Sequence, residues 1–312
     1  MDSTKDLIIV GGGPAGYSAA LYAARASLDV LVVEHGMAGG QIATSDIIDN
    51  YPGLGSCSGA ELGQKMQEHA EHAGAQSTYG SVSSIDREDD MFIVNTDMEQ
   101  LEAPALIVAT GATPRLGGFV GEDEFRGRGV SYCATCDGMF YRGKQVFIIG
   151  GGNSAVEEAM YLSNIAEHVE LVVRRDVFRA PRGMVERLLT RDNITIRYQT
   201  SIIEVSGSTF INRIVLRDNA TGETHAEMFD EGSVGIFVAV GHDPATQIVA
   251  PYVDLGSDGG VVTDESMATK TPGLFCAGDM RSKSLRQVIT AAADGAIAAM
   301  SAYAYLEESG RI

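Results

Sequence analysis

Two copies of one pattern predict an α/β chain. In each copy a short apolar run leads into a glycine turn, a helix of small residues and a second apolar run. That order points to two Rossmann-like nucleotide-binding domains of three-layer ββα type. A third observation is the stretch "SYCATCDGMFYRG", whose Cys133 and Cys136 lie just ahead of the second copy.

The first copy reads "DLIIVGGGPAGYSAALYAARASLDVLVVEHG". Leu7 to Val10 is the length of a buried parallel strand. Gly11, Gly13 and Gly16 give G-x-G-x-x-G, and Ala19, Ala20, Ala23 and Ala24 recur at helical spacing. Gly11 allows the tight turn, Gly13 lets backbone approach a pyrophosphate, and Gly16 lets helix and strand pack closely. The helix N-terminus faces the phosphates. Val30 to Val33 is the second strand, and Glu34 follows it as an acceptor for ribose hydroxyls.

The second copy reads "KQVFIIGGGNSAVEEAMYLSNIAEHVELVVRRDVFRA". Its strand, Val146 to Ile149, precedes Gly150, Gly152 and Ala155, and its second strand is Val169 to Val173. Arg174 and Arg175 then stand where the first copy has Glu34. An acid there repels a 2′-phosphate, whereas arginine grips it through a planar fork of donors. The second site therefore suits NADPH and the first FAD. Nicotinamide and flavin in one chain imply hydride transfer.

"ALIVATGATPRL" and "GIFVAVGHDPAT" both read as a strand, a small-residue turn and an exit from a nucleotide domain. After the second comes a strand, a Gly278–Asp279 turn and an alanine-rich helix. The order implies that the second domain interrupts the first: residues 1–116 with 246–312 bind FAD, and 117–245 bind NADPH and carry the cysteines.

The formal net charge is −19 over 312 residues. Such a surface repels nucleic acid and anionic lipid. "MDSTKDLIIVGGG" is too short in apolar residues for a signal peptide or a membrane span, so a cytoplasmic enzyme is expected. Four cysteines make no disulfide framework. A zinc site needs four ligands, usually from two knuckles, and there is no second C-x-x-C. Cys57 and Cys276 stand alone, and His69 with His72 reads as a solvated helix face. No metal is expected. The pair Cys133 and Cys136 reads as a redox dithiol, and Asp137 beside it as a proton carrier or a helix cap.

In "GGGPAG", "GGQIATSDIIDNYPG", "ATGATPR", "CATCDG", "GGGNSAVEEA", "RRDVFRA", "AVGHDP" and "AGDMRSKSLRQVITAAADG" the chain resembles, end to end, the low-molecular-weight bacterial type of thioredoxin reductase. The resemblance implies a homodimer with one FAD per subunit, an inserted NADPH domain and thioredoxin as acceptor. It implies FAD contacts from Pro14, Ala15, Glu34, Gly40, Gln41 and Asn50, and from Thr110 and Gly111. Gly278, Asp279, Arg286, Gln287 and Val288 would border the pyrophosphate, ribityl and flavin ring. Asn153, Ser154 and Glu157 would border the NADPH pyrophosphate and ribose beside Gly152, with Arg174, Arg175 and Arg179 around the 2′-phosphate. Val173 stands where the family's basic motif often begins with histidine.

The resemblance also implies that Cys136 lies nearer the flavin and that Cys133 attacks the thioredoxin disulfide. The inserted domain would then rotate on its connections, near Pro114–Leu116 and His242–Thr246, to serve flavin and protein in turn. Rival readings are a flavin dithiol oxidase using O2, a ferredoxin-dependent thioredoxin reductase and a non-catalytic flavin redox sensor. The arginines argue against the first, the second dinucleotide motif against the second, and an intact "CATCDG" against the third.

Overall fold

The computed structural model describes residues 4–45 and 47–312. The chain opens on β1 (Leu7–Val10), all four residues buried. Burying each such side chain contributes about 1.5–3 kcal/mol. The glycine turn leads into α1 (Pro14–Arg25) and then β2 (Val30–Glu34). α2 (Gly59–His72) starts at Ser58, whose hydroxyl accepts the Glu61 N–H at 3.1 Å. His69 and His72 are both exposed on it. β3 (Gln76–Tyr79) follows, then a meander of β4 (Val82–Glu88), β5 (Met91–Thr96) and β6 (Gln100–Ala103). β7 (Ala105–Val108) and the short β8 (Ala112–Pro114) end this passage.

The middle of the chain repeats the design. β9 (Val130–Ser131) and the four-residue α3 (Ala134–Asp137) precede β10 (Gln145–Ile149), α4 (Asn153–Leu162) and β11 (His168–Val172). α5 (Arg182–Leu188) and β12 (Ile194–Arg197) come next. A second meander, β13 (Thr200–Gly207), β14 (Ile211–Asp218) and β15 (Thr224–Met228), leads to β16 (Val234–Val238) and β17 (His242–Pro244). The chain then forms β18 (Leu274–Cys276) and ends on α6 (Val288–Glu308).

These elements make two compact units, Met1–Thr113 with Asp243–Ile312, and Pro114–His242. The crossings fall within β8 and β17, which pair as a two-stranded sheet, a few residues earlier than the sequence patterns alone suggest. In the discontinuous unit the sheet order is β18-β7-β1-β2-β3, all parallel. In the inserted unit it is β12-β11-β10-β16-β9, again parallel.

Each sheet is covered twice, which gives three layers. In the discontinuous unit Leu7, Ile9, Val30 and Val32 point toward α1 and α6, while Ile8, Val10, Leu31 and Val33 pack on Phe92, Val94 and Leu101 of the meander. Alternate residues of a strand face opposite sides, so two-sided burial demands an unbroken apolar run. In the inserted unit Val146 and Ile148 pack on α4, and Phe147 packs on the second meander. Among the described residues no helix is long and apolar enough to cross a membrane.

Candidate cofactor sites and redox centre

Every loop that carries a predicted residue of the first site leaves the carboxyl end of a strand, or follows such a loop, as ligands in open parallel sheets require. Gly11 follows β1 with φ +106°, and an added Cβ would lie 2.5 Å from the Ala109 carbonyl oxygen. A Cβ on Gly16 would meet the Gly11 carbonyl oxygen at 1.8 Å, so only glycine lets α1 lie this close to the turn. Gly13 is different. Its φ is −80°, and the nearest atom to an added Cβ is 3.8 Å away. Neither backbone strain nor packing demands glycine there; its bareness leaves an open cradle. Gly13 caps α1 without a side-chain bond, and Pro14 fills the first position. The N–H groups of Ala15 and Gly16 therefore face outward to an anion.

Glu34 ends β2 and is buried. Its carboxylate accepts the Gly12 N–H and, at 2.8 Å, the Gly36 N–H, so it shapes the loop it would share with a ribose. Gly40 lies against Gly13, and the Gln41 amide donates to the Ala112 carbonyl. Thr110 donates to the Ala245 carbonyl at 2.6 Å, and Gly111 has φ +72° beside open space. Asn50 donates to the Gln287 side chain at 3.0 Å. Gln287 caps α6 at Val288 with a reciprocal Thr290 bond. Arg286 leans back onto the Asp279 carbonyl at 3.4 Å.

Asp279 is the side chain that best fits a ligand hydroxyl. Its Oδ1 is buried with no hydrogen-bond partner. Burial pushes the carboxyl up to about 6, against the pull of Lys283 and Arg286 and with a small addition from Asp294. A buried acceptor left open costs roughly 1–3 kcal/mol, so such a site fits a ligand hydroxyl. Gly278, at φ +78°, brings the turn against Ala15 at the start of α1. The cradle, the acid and the two helix starts together fit a flavin dinucleotide. Cys276, two residues before the turn, is wholly buried, and burial pushes its thiol up to about 12.

The second cradle repeats the first. Gly150 has φ +153°, and its Cβ would meet the Ala239 carbonyl oxygen at 2.5 Å. Gly152 caps α4 without a side-chain bond and has open space, its nearest neighbour being an Arg179 nitrogen 3.7 Å from an added Cβ. Asn153 and Ser154 open α4, exposed, and Glu157 is exposed one turn on. Arg179 donates its backbone N–H to the Gly151 carbonyl at 2.7 Å. Arg174 and Arg175 are exposed beyond β11.

The register corrects one expectation. Val10 pairs with Val33, and Ile149 pairs with Val172. Counted from the glycine turns, Glu34 therefore corresponds to Val173, and the arginines begin one residue later. Val173 is buried, with its Cγ1 3.0 Å from a Cβ added to Gly151, as the Glu34 carboxylate reaches Gly12. A histidine at this position would have to bury its ring. β11 also runs His168–Val172, one residue before the expected span.

Cys133 and Cys136 are joined in a disulfide at the carboxyl end of β9. Both are half-buried. Cys133 is the N-cap of α3, and its sulfur accepts the Cys136 N–H at 3.2 Å. Asp137 is the last residue of α3 and the N-cap residue of the 3-10 turn Gly138–Tyr141, where its side chain makes no capping bond. Its Oδ2 accepts the Ser131 hydroxyl at 2.6 Å, and the same hydroxyl oxygen accepts the Cys133 N–H at 3.1 Å. Ser131 thus ties the acid to the dithiol backbone. It escaped the sequence reading because a serine two residues before a C-x-x-C has no distinguishing pattern. Glu158 also escaped it: half-buried, with its Oε2 out of solvent and unpartnered, its carboxyl is pushed up to about 8 by burial and then by Glu157.

The dithiol and the arginines do not gather at one point. β9 and β11 are separated by β10 and β16, or about 14 Å at ordinary strand spacing. Among the described residues no group of three or more histidine, cysteine, aspartate or glutamate side chains could hold a metal ion.

Two dinucleotide folds and a disulfide in one chain define a redox enzyme that moves electrons between a nucleotide and sulfur. The comparisons with known proteins agree. Residues 5–295 match the pyridine nucleotide-disulphide oxidoreductase family, and the chain belongs to that family. It is 43% identical over 308 residues to the thioredoxin reductase of Treponema pallidum (strain Nichols), covering 98% of this chain and 99% of that one. It is 42% identical over 311 residues to that of Peptoclostridium litorale, covering 99% of each. The crystal structure of thioredoxin reductase from Streptococcus pyogenes MGAS5005 superimposes with a TM-score of 0.91 at 40% identity, covering 99% of this chain and all of that one. Family membership implies use of a flavin and a pyridine nucleotide.

Proposed function

We propose that the chain is an NADPH-dependent thioredoxin-disulfide reductase in which FAD occupies the discontinuous unit and NADPH the inserted one. The Cys133–Cys136 disulfide, with Asp137 bonded to the same serine that holds the Cys133 backbone, carries this reading. The full-length thioredoxin reductase relatives support it.

The bound cofactors supply the electron pair that opens the disulfide. Two electrons and two protons give two thiols. Asp137 is placed to exchange one of those protons. The Cys136 N–H, 3.2 Å from the Cys133 sulfur, would stabilise a thiolate there, which supports Cys133 as the attacking sulfur. Attack on a thioredoxin disulfide forms a mixed disulfide and releases one thioredoxin thiolate. Cys136 then displaces the second, restoring Cys133–Cys136 and leaving thioredoxin reduced. Met139 and Phe140, 47% and 49% exposed, stand just past the dithiol and offer apolar surface to a protein partner. Arg174, Arg175 and Arg179 select NADPH by its 2′-phosphate. Rotation of the inserted unit on its paired connections brings the dithiol to flavin and protein in turn.

The enzyme works as a homodimer. A groove of about 440 Å³ lined by Tyr22, Ile297, Met300 and small residues of α6 supplies an apolar face for a second copy. The decisive experiment is Cys136→Ser with FAD bound. Anaerobic NADPH should still bleach the flavin, and thioredoxin turnover should vanish. Sustained thioredoxin turnover by this variant would overturn the dithiol route. Loss of bleaching in the wild type would overturn the NADPH assignment.

A further inference from the structure

Asp294 sits in the seventh position of α6, 8% exposed. α6 meets α1 backbone to backbone. A Cβ on Gly295 would lie 2.0 Å from the Ala15 carbonyl oxygen, and the Ser18 hydroxyl donates to the Ala292 carbonyl at 2.6 Å. Asp294 is therefore fixed by its own helix. Its Oδ2 accepts the Gly278 N–H at 3.1 Å, the Lys283 ammonium at 2.8 Å and the Arg281 guanidinium at 2.9 Å. Those two cations are only 13% and 12% exposed at their side chains. One carboxylate oxygen thus holds the turn and two largely buried cations at once.

The neighbouring carboxylate does the opposite. Asp279 keeps a buried Oδ1 without a partner, although Lys283 and Arg286 are both near enough to act on it. A flexible lysine close to a buried open carboxylate should close onto it, because a charge-assisted bond is worth about 1.5–3 kcal/mol. Its ammonium group is held by Asp294 instead. We propose that Asp294 is a positioning residue that fixes the Gly278–Asp279 turn and retains Lys283, so that Asp279 keeps one carboxylate oxygen open for a hydroxyl of the flavin dinucleotide. This rests on the flavin reading of the discontinuous unit. It adds a residue that would touch no part of the ligand and would act through two others.

The test is FAD affinity by fluorescence titration of deflavinated protein, with melting temperature measured beside it. Asp294→Asn keeps the shape and one acceptor but frees Lys283. FAD affinity should fall about 10- to 100-fold, within the range for groups sharing one network. Adding Lys283→Met to Asp294→Asn should restore affinity to within about fivefold of wild type, because the competing cation is gone while pairwise coupling is what the cycle isolates. A merely structural carboxylate predicts the reverse, since each further lost partner weakens the turn. An equal or weaker double variant would overturn the proposal, as would unchanged affinity in Asp294→Asn. If neither variant accumulates as folded protein, Asp294 is a folding residue and the proposal falls. Absence of FAD binding by the wild-type chain would overturn the flavin reading and this proposal with it.

Discussion

Glu34 and Val173 occupy the same place in two copies of one fold. Both follow the second strand of a parallel sheet, one residue past the pair that flanks the glycine turn. Both turn inward toward the middle glycine of that loop, Gly12 or Gly151. One is a carboxylate that bonds the loop; the other is an aliphatic side chain that only fills space. The two strand pairs share one register, so under the proposed reading the choice between dinucleotides falls to a few side chains at one strand end. The sheets agree further. β9 lies where β18 lies, at the edge beyond the third parallel strand, although β9 comes first in its unit and β18 last. At that matching edge one unit ends in Gly278–Asp279 and the other in Cys133–Cys136.

The comparison breaks most severely at the third motif position. Gly16→Ala drives a methyl to 1.8 Å from a carbonyl oxygen, whereas Ala155 already carries that methyl, fully buried. Gly16→Ala should cost about 3 kcal/mol or more and yield protein without FAD. Ala155→Gly should cost only about 1 kcal/mol, the usual penalty for glycine in a helix. Calorimetry and the flavin-to-protein absorbance ratio check both. Gly16→Ala protein carrying a full complement of FAD would show that the close approach is not needed.

The next effect belongs to the arginines. Removing Arg174 and Arg175 together should raise the KM for NADPH roughly 10- to 150-fold per arginine, since each charge-assisted contact is worth about 1.5–3 kcal/mol. The KM for NADH should stay where it is, having no phosphate to lose. If both constants are unchanged, the reductant must be sought elsewhere, beginning with ferredoxin.

Val173→Glu rebuilds the first cradle inside the second. The new carboxylate should accept the Gly151 N–H and a ribose hydroxyl, and repel a 2′-phosphate. We expect kcat/KM to rise for NADH and fall for NADPH, each by about tenfold, the value of one charged hydrogen bond. An unchanged ratio would mean that position 173 has no part in choosing the nucleotide.

The smallest effect is on pH. Asp279 has its carboxyl raised by burial to about 6. A ligand hydroxyl bonds the ionised form more strongly, so binding lowers that pKa and releases a proton. FAD affinity should therefore be flat above pH 7 and weaken below about 6, by at most about tenfold per pH unit. Asp279→Asn should flatten the profile. A wild-type affinity independent of pH from 5 to 8 would remove Asp279 from the binding site.

Much of this was legible because glycine is a geometric statement. The spacing of Gly11, Gly13 and Gly16 reports a turn, an open backbone and a close packing, and these geometries appear at their residues. The inserted order was legible from repeated strand exits. The register of the acid was not, because an apolar Val173 looks like one more strand residue until its partner is known. β9 is two residues long and could not announce itself. Ser131 and Asp294 were invisible for another reason. Their roles come from residues two to sixteen positions away that meet only in three dimensions.

The buried thiol of Cys276 has a consequence for electron traffic. Burial pushes it up to about 12, so it stays protonated at pH 7, and thiolate is the species that exchanges with disulfides. It lies two residues from Gly278, on the strand that leads to the proposed flavin site. An ionised sulfur there would be open to oxidation and to exchange with any disulfide that reached it. Held neutral in an apolar core, Cys276 is kept out of that exchange.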